Sequence, residues 1–282
     1  MNDRKRFAQD GFVLLRELLD PAVRAAGETA LRGAVADTSG AVAFPFATDA
    51  LNDIALSPSI LAAIAALGLP GLPTVRASTA VLKTGGAARY DQPLHLENKE
   101  YSLVVPVDAD DDRGVVALIY LTDAGTDELG PTAVVPRSAT AHRDVGSDPV
   151  IPRPAPEYEV EQRIHARAGD VLLFGFNTYH RGTELAVGAE RLSMQVSYSL
   201  RTTPGSTVNT PGSMSFAAWT RLTALVPRLS GDQLTCLGFP PPTDPYWTPR
   251  TVAAVEQRYP GLRLPAGNAH TSGGGRPAGS AP

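Results

Sequence analysis

The chain has one cysteine, Cys236, in 282 residues, which excludes an intrachain disulfide and suits a reducing compartment. It also lacks an excess of charge of either sign. The formal balance is −4, so neither a nucleic-acid surface nor a polybasic membrane patch is expected. Lysine is nearly missing and stands only at Lys5, Lys83 and Lys99. Long apolar runs are absent as well. In the opening MNDRKRFAQDGFVLLRELLDP, the run FVLL is broken by Arg16 and Glu17, unlike a secretory leader, and no later run is expected to cross a bilayer. A soluble, cytoplasmic protein is the expectation. Phosphate-binding glycine loops, CxxC pairs, a Ser/His/Asp order and internal repeats are all missing.

What is present divides by character. Asp3 to Gln9 reads as a short helix stopped near Gly11, and FVLLR as a short strand. Asp20-Pro21 and Ser57-Pro58 each pair a capping side chain with proline at the first helical position. The first predicts a helix to about Ala36. The second predicts one whose stripe of Ile60, Leu61, Ile64 and Leu67 ends at Gly68. From about Pro73 the pattern changes to β-branched or alternating runs: TVRASTAVLK, YSLVVPV, GVVALIYLTD, TAVVP, EQRIHARA, DVLLFGF and RLSMQVSYSL. Short strands without long helical stretches between them predict a sandwich or barrel, not βαβ units. The acidic run Asp108 to Asp112 lacks the spacing of a calcium loop and reads as a solvated turn. Helical patterning returns after about Thr203, through Phe216, Trp219, Leu222, Leu225 and Val226, with a new start at Thr248-Pro249. One domain over 1–265 is expected: helices to about 72, a strand-rich core over about 73–203, and a helical part over about 204–265. The Gly/Ser/Pro-rich tail, 266–282, is expected to be disordered.

The residues with metal chemistry sit in the strand-rich core. His95 and Glu97, in QPLHLENKEYSLVVP, are two apart, so on a strand they project from one face. One imidazole and one carboxylate are two thirds of the facial triad of non-haem Fe(II) oxygenases. His180, in GDVLLFGFNTYHRG, is the candidate for the missing imidazole. An isolated HxE equally describes the solvated face of a strand, so the surroundings must decide. Arg191 and Ser193, in RLSMQVSYSL, share a face by the period of two. If the strands of His180 and Arg191 are antiparallel neighbours, the guanidinium lies near the metal. Its planar fork suits a carboxylate, with Ser193 adding a hydroxyl. A triad backed by an acid-binding arginine implies an oxoacid cosubstrate as well as a metal. The other histidines are read as a loop surface residue (His142), a strand-face residue (His165) and a tail residue (His270). Cys236, among Leu234, Leu237 and Phe239, is read as a small buried residue.

Taken in order, LHLENKEYSLVVP, ALIYLTDAGTDELGPTAVVPRS, RAGDVLLFGFNTYHRGTE and ERLSMQVSY resemble the phytanoyl-CoA dioxygenase (PhyH) family of Fe(II)/2-oxoglutarate-dependent oxygenases. The likeness begins at FAQDGFVLLRELLDP and runs to about Ser199, and FPPPTDPYWTP resembles the C-terminal part of a bacterial, actinobacterial-type subgroup. The resemblance implies a mainly β fold with flanking helices, a double-stranded β-helix (cupin-type jelly roll). It implies His95, Glu97 and His180 as iron ligands, and Arg191 with Ser193 on the distal carboxylate of 2-oxoglutarate. Lys83, Gln92 and Thr132 fall where family members often place further cosubstrate contacts. Lys83 and Gln92 fit equally as surface polar residues, and Thr132 as a turn residue. The implied activity is a dioxygenase that hydroxylates a C–H bond of a small molecule, such as a natural-product intermediate. It would consume O2 and 2-oxoglutarate and release succinate and CO2.

The departure is Glu97, where the family's usual motif is HxD. Glutamate keeps the charge and the donor oxygens but adds roughly 1.5 Å of reach. It argues against the halogenase variant, in which a small residue replaces the carboxylate. Two other readings stay open: a catalytically silent cupin-like binding protein, and a 2-oxoglutarate-independent metal oxygenase on the same barrel.

Overall fold

Asp20 caps its helix as its place before Pro21 predicts. Its carboxylate accepts from the backbone N–H groups of Ala22 and Val23 at 2.8 and 3.2 Å. A computed structural model of the chain describes residues 2–36, 40–86, 91–97, 113–145, 148–200 and 215–264. The expected strand YSLVVPV, the Asp108 to Asp112 turn, the 266–282 tail and His270 lie outside them.

Helix α1 (Asp3–Asp10) ends where Gly11 turns left-handed, at φ 83°, a conformation that favours glycine. Strand β1 (Phe12–Leu15) follows, then α2 (Pro21–Val35). Two short elements come next that the sequence did not announce, β2 (Ala41–Ala43) and α3 (Asp49–Ala55). Helix α4 (Pro58–Ala66) completes the N-terminal layer, with Pro58 at its first position. The stretch Asp49–Ala66 is longer and more apolar than the sequence reading allowed, enough to cross a bilayer. It is half buried instead, with Ile54, Leu56, Ile60 and Ile64 in the core.

The remaining strands are β3 (Pro73–Thr84), β4 (Leu94–His95), β5 (Gly114–Tyr120), β6 (Thr132–Val134), β7 (Val150–Ile151), β8 (Gln162–Ile164), β9 (Val171–Gly175), β10 (His180–Gly182) and β11 (Glu190–Leu200). They form two antiparallel sheets, ordered β1-β9-β5-β11-β3-β2 and β7-β4-β10-β6-β8. This is the jelly-roll architecture that the resemblance implies. The larger sheet separates two kinds of packing. On one face Val115, Ala117, Ile119, Leu173, Leu192, Met194 and Val196 bury against Leu31, Leu51 and Ile54 of the helices. On the other, Val116, Leu118, Leu172 and Phe174 meet Val134 and Ile164 of the smaller sheet.

Strand β11 is the clearest case of period two. Leu192, Met194, Val196 and Tyr198 join the helix-side core, and Arg191, Ser193, Gln195, Ser197 and Ser199 alternate with them. Each buried aliphatic there contributes about 1.5–3 kcal/mol by leaving water. The strand's second face is therefore free to carry polar groups.

After residue 214, helices at Phe216–Leu225, Gly231–Leu237 and Pro249–Arg258 add a small cluster of Leu222, Val226, Leu234, Tyr259 and Leu262. Thr248 caps the last of them with a capping box, as Thr248-Pro249 predicts. Cys236 is buried in the helix-side core.

Candidate metal centre

Only Leu94 and His95 belong to strand β4, so Glu97 stands just past its end. The alternation nonetheless persists: Leu94 and Leu96 turn outward into a cluster with Val135, Ile151 and Tyr179. His95 and Glu97 turn the other way, toward His180. Glu97 is held by its backbone N–H, which donates to the carbonyl of Phe176 at 3.1 Å.

His180 opens β10, directly opposite His95 across the ladder, with ring centroids 4.5 Å apart. The Nδ1 of His95 lies 2.8 Å from the carbonyl oxygen of Pro93, and that of His180 lies 3.0 Å from the carbonyl of Thr178. A carbonyl oxygen only accepts, so each Nδ1 carries the proton. In the neutral ring this leaves the Nε2 lone pair for a ligand, the arrangement that metal-binding histidines use. The Nε2 of His180 is 3.3 Å from Oε1 of Glu97. Donor atoms of His95, Glu97 and His180 all lie within 4.8 Å of one another.

The carboxylate is buried at 4% exposure, and its Oε2 has no hydrogen-bond partner among the described residues. Burial alone would raise its pKa. Against that, the hydrogen bond and charge that His180 brings when its ring is protonated, the charge that His95 brings in the same state and the amide of Gln195 hold it below the usual carboxylate range. A buried, ionised carboxylate with an unused oxygen beside two oriented imidazoles fits a divalent first-row metal. Phe174 packs on the His180 ring at a centroid distance of 4.3 Å and limits its rotation.

The second half of the site has a different origin from that expected. Strands β10 and β11 are not neighbours: β10 pairs with β4 and β6, whereas β11 pairs with β3 and β5 in the other sheet. Arg191 therefore approaches by sheet-on-sheet packing and not along a ladder, a relation that no strand spacing reveals. It is 1% exposed. Lys83 stands directly opposite it on β3, and Tyr120 stands opposite Ser193 on β5. Burial pushes the Lys83 ammonium down to about 7, with the charge of Arg191 adding to the effect. Burial pushes the Tyr120 phenol up, which keeps it a protonated donor, near Arg191 and Thr132. Thr132 is buried on β6, opposite Gly182. Gln92 braces β10: its Oε1 accepts from the Gly182 N–H at 2.9 Å, and its own N–H donates to the Gly182 carbonyl at 3.1 Å.

Tyr120 and Gln195 were not singled out from the sequence. Both follow from extending the period of two, Gln195 from Ser193 along its own strand and Tyr120 as the last residue of GVVALIY. The Nε2 of Gln195 donates to Oε1 of Glu97 at 2.9 Å. His142 is exposed and pairs with Glu157 at 3.0 Å, and His165 is exposed beside Asp127, so neither belongs to this site.

The comparisons agree with this fold. The epimerase SnoN of nogalamycin biosynthesis, solved with Fe3+, α-ketoglutarate and nogalamycin RO, is 21% identical. That match covers 76% of this chain and 90% of SnoN, with a TM-score of 0.61. HygX from Streptomyces hygroscopicus, solved with nickel, 2-oxoglutarate and hygromycin B, is 16% identical, covering 76% and 93% with a TM-score of 0.53. The carbocyclase SnoK, also of nogalamycin biosynthesis, is 21% identical, covering 74% and 92% with a TM-score of 0.55. At these identities the likeness establishes the fold. No curated protein sequence matches the chain. The family model described as phytanoyl-CoA dioxygenase (PhyH) matches residues 7–186, which include His95, Glu97 and His180 but stop short of Arg191. The chain thus belongs to the phytanoyl-CoA dioxygenase (PhyH) family.

Proposed function

We propose that this protein is an Fe(II)/2-oxoglutarate-dependent dioxygenase that hydroxylates a C–H bond of a small natural-product intermediate. The observation that carries the reading is the buried His95–Glu97–His180 cluster, with both Nδ1 atoms committed to backbone carbonyls. Two neutral imidazoles and one carboxylate would hold Fe(II) and leave open positions for cosubstrate and O2. When bound, iron and 2-oxoglutarate supply the oxidising chemistry, with succinate and CO2 as co-products.

The chain's own part is placement. Arg191 offers a planar fork to the distal carboxylate of 2-oxoglutarate, with Ser193 and Tyr120 as hydroxyl donors and Lys83 and Thr132 beside them. The apolar wall of Val116, Leu118, Leu172 and Phe174 keeps water from the floor of the site. SnoN and HygX were solved with nogalamycin RO and hygromycin B, which supports a natural-product substrate here. SnoN is an epimerase and SnoK a carbocyclase, so epimerisation and ring closure are the alternative fates of the substrate after C–H cleavage.

The test is optical and then catalytic. Anaerobic addition of Fe(II) and 2-oxoglutarate should give a visible charge-transfer band, and oxygen should then release succinate while candidate substrates are screened. Absence of the band with both added would favour a silent binding protein. Turnover that proceeds without 2-oxoglutarate would favour the other metal oxygenase.

A further inference from the structure

We propose that Gln195 is a positioning residue for Glu97, turning its carboxylate toward the two imidazoles so that three donors converge on one cation. The inference rests on the iron reading above and concerns a residue of the facing sheet.

Glu97 needs such a partner. It lies beyond the last residue of β4, where no ladder fixes it, and its backbone is tied by one N–H to Phe176. A glutamate side chain turns about three bonds, and its free rotamers would carry the carboxylate away from the imidazoles. His95 and His180 have no such freedom, since each ring is pinned through Nδ1.

Gln195 supplies the missing restraint from the opposite side of the barrel. It sits in mid-β11, between Thr79 of β3 and Leu118 of β5, on the face that also carries Arg191 and Ser193. From there its amide crosses between the sheets to reach Oε1 at 2.9 Å. Oε2 keeps no hydrogen bond among the described residues. The carboxylate is thereby oriented through one oxygen while the other stays available.

The chemistry of the amide matters as much as its reach. Lysine or arginine at this place would neutralise the carboxylate and repel a divalent cation. A second carboxylate would compete as a ligand. An amide donates a directional hydrogen bond and brings no net charge.

Cobalt(II) is the probe, because its visible spectrum reports the donor geometry without turnover. Anaerobic Co(II) titration of the full chain is compared with that of Gln195→Leu. The variant should bind about tenfold more weakly, the effect typical of a lost outer-shell hydrogen bond, with an altered ligand-field spectrum. Glu97→Asp supplies the control background. Its shorter carboxylate stands beyond the amide's reach, so adding Gln195→Leu there should change the affinity less than about twofold. Should Gln195→Leu not fold, Gln195→Asn withdraws the same amide by one methylene and should show the same loss. Wild-type affinity and spectrum in the folded variant, or equal losses in both backgrounds, would overturn the proposal alone. Failure of the unsubstituted chain to bind Co(II) would overturn the iron reading and this proposal together.

Discussion

Lys83 and Arg191 stand directly opposite each other on antiparallel strands β3 and β11, two cations brought to the inner side of the larger sheet. Burial is the larger cause of the low Lys83 pKa of about 7, and the guanidinium the second. A carboxylate seated between them would relieve both.

This pair makes stability depend on pH with a definite sign. Unfolded lysine keeps its proton to about pH 10.4. Lys83 in the fold releases its proton near pH 7. Between these values the unfolded chain binds more protons, so this residue makes stability rise with pH across that window, by up to about 1.4 kcal/mol per unit. Below pH 7 its contribution is flat. Urea unfolding at pH 6 to 10 should show the slope, and Lys83→Met should flatten it while stabilising the protein at neutral pH. An unchanged slope in that variant would refute the assignment.

Binding of 2-oxoglutarate should draw a proton in, because its carboxylate favours charged Lys83. Calorimetry at pH 8 in buffers of different ionisation heat should read uptake of up to about one proton, absent in Lys83→Met.

Arg191 should be harder to replace than its charge suggests. Arg191→Ala should weaken 2-oxoglutarate by roughly 2–5 kcal/mol, the usual cost of removing one partner of a buried charge pair. Arg191→Lys should recover little, since an ammonium cannot present two parallel donors. Metal affinity without 2-oxoglutarate should stay near wild type in both. The comparison separates a cosubstrate role from a general collapse of the site.

Addition of Fe(II), Co(II) or Ni(II) should raise Tm by a few degrees, since a ligand at about 100 times its Kd stabilises by about 2.7 kcal/mol. His180→Ala should abolish that shift. A shift that survives in His180→Ala would place the metal elsewhere.

Gly11 should affect the site from a distance. Its carbonyl accepts from the Thr178 Oγ1 at 2.8 Å and the Gly175 N–H at 3.0 Å, and Thr178 in turn holds His180 Nδ1. A Cβ at Gly11 would fall 2.5 Å from that Oγ1, on backbone already at positive φ. Gly11→Ala should cost about 1–3 kcal/mol in denaturant unfolding and weaken metal binding as well.

Much of this was legible because it is local. Proline after a candidate capping residue marked the starts at Pro21, Pro58 and Pro249, and each helix begins there, although Ser57, unlike Asp20 and Thr248, makes no side-chain cap and its hydroxyl meets that of Ser59 instead. Period two put His95 with Glu97 and Arg191 with Ser193 on shared faces, though Glu97 has already left its strand. The missed elements carry weak local signals. Ala41–Ala43 turns only Val42 toward the core, too few residues for a period to show, and Thr48 makes no side-chain cap for Asp49–Ala55. Ser230 and Gln233, by contrast, form a capping box whose spacing stands in the sequence. The partnership of Gln195 with Glu97 was beyond reach, because it joins two sheets across 98 positions of chain. The same holds for Arg191, which comes to the site from the facing sheet.

The two faces of β11 also say how this protein can change. Odd-numbered positions from 191 to 199 share the face from which Gln195 reaches Glu97, and even-numbered ones from 192 to 198 pack against the helices. Ser197 and Ser199 are small, buried residues on the same face as Gln195, so replacement there changes the inner face of the sheet while leaving the helix-side core residues in place. Loss or gain of a single residue within the strand would exchange the two roles at once, putting leucine and methionine into the site and arginine against the helices. New specificity is therefore reachable here by point replacement on alternate codons, whereas length variation belongs in the loops.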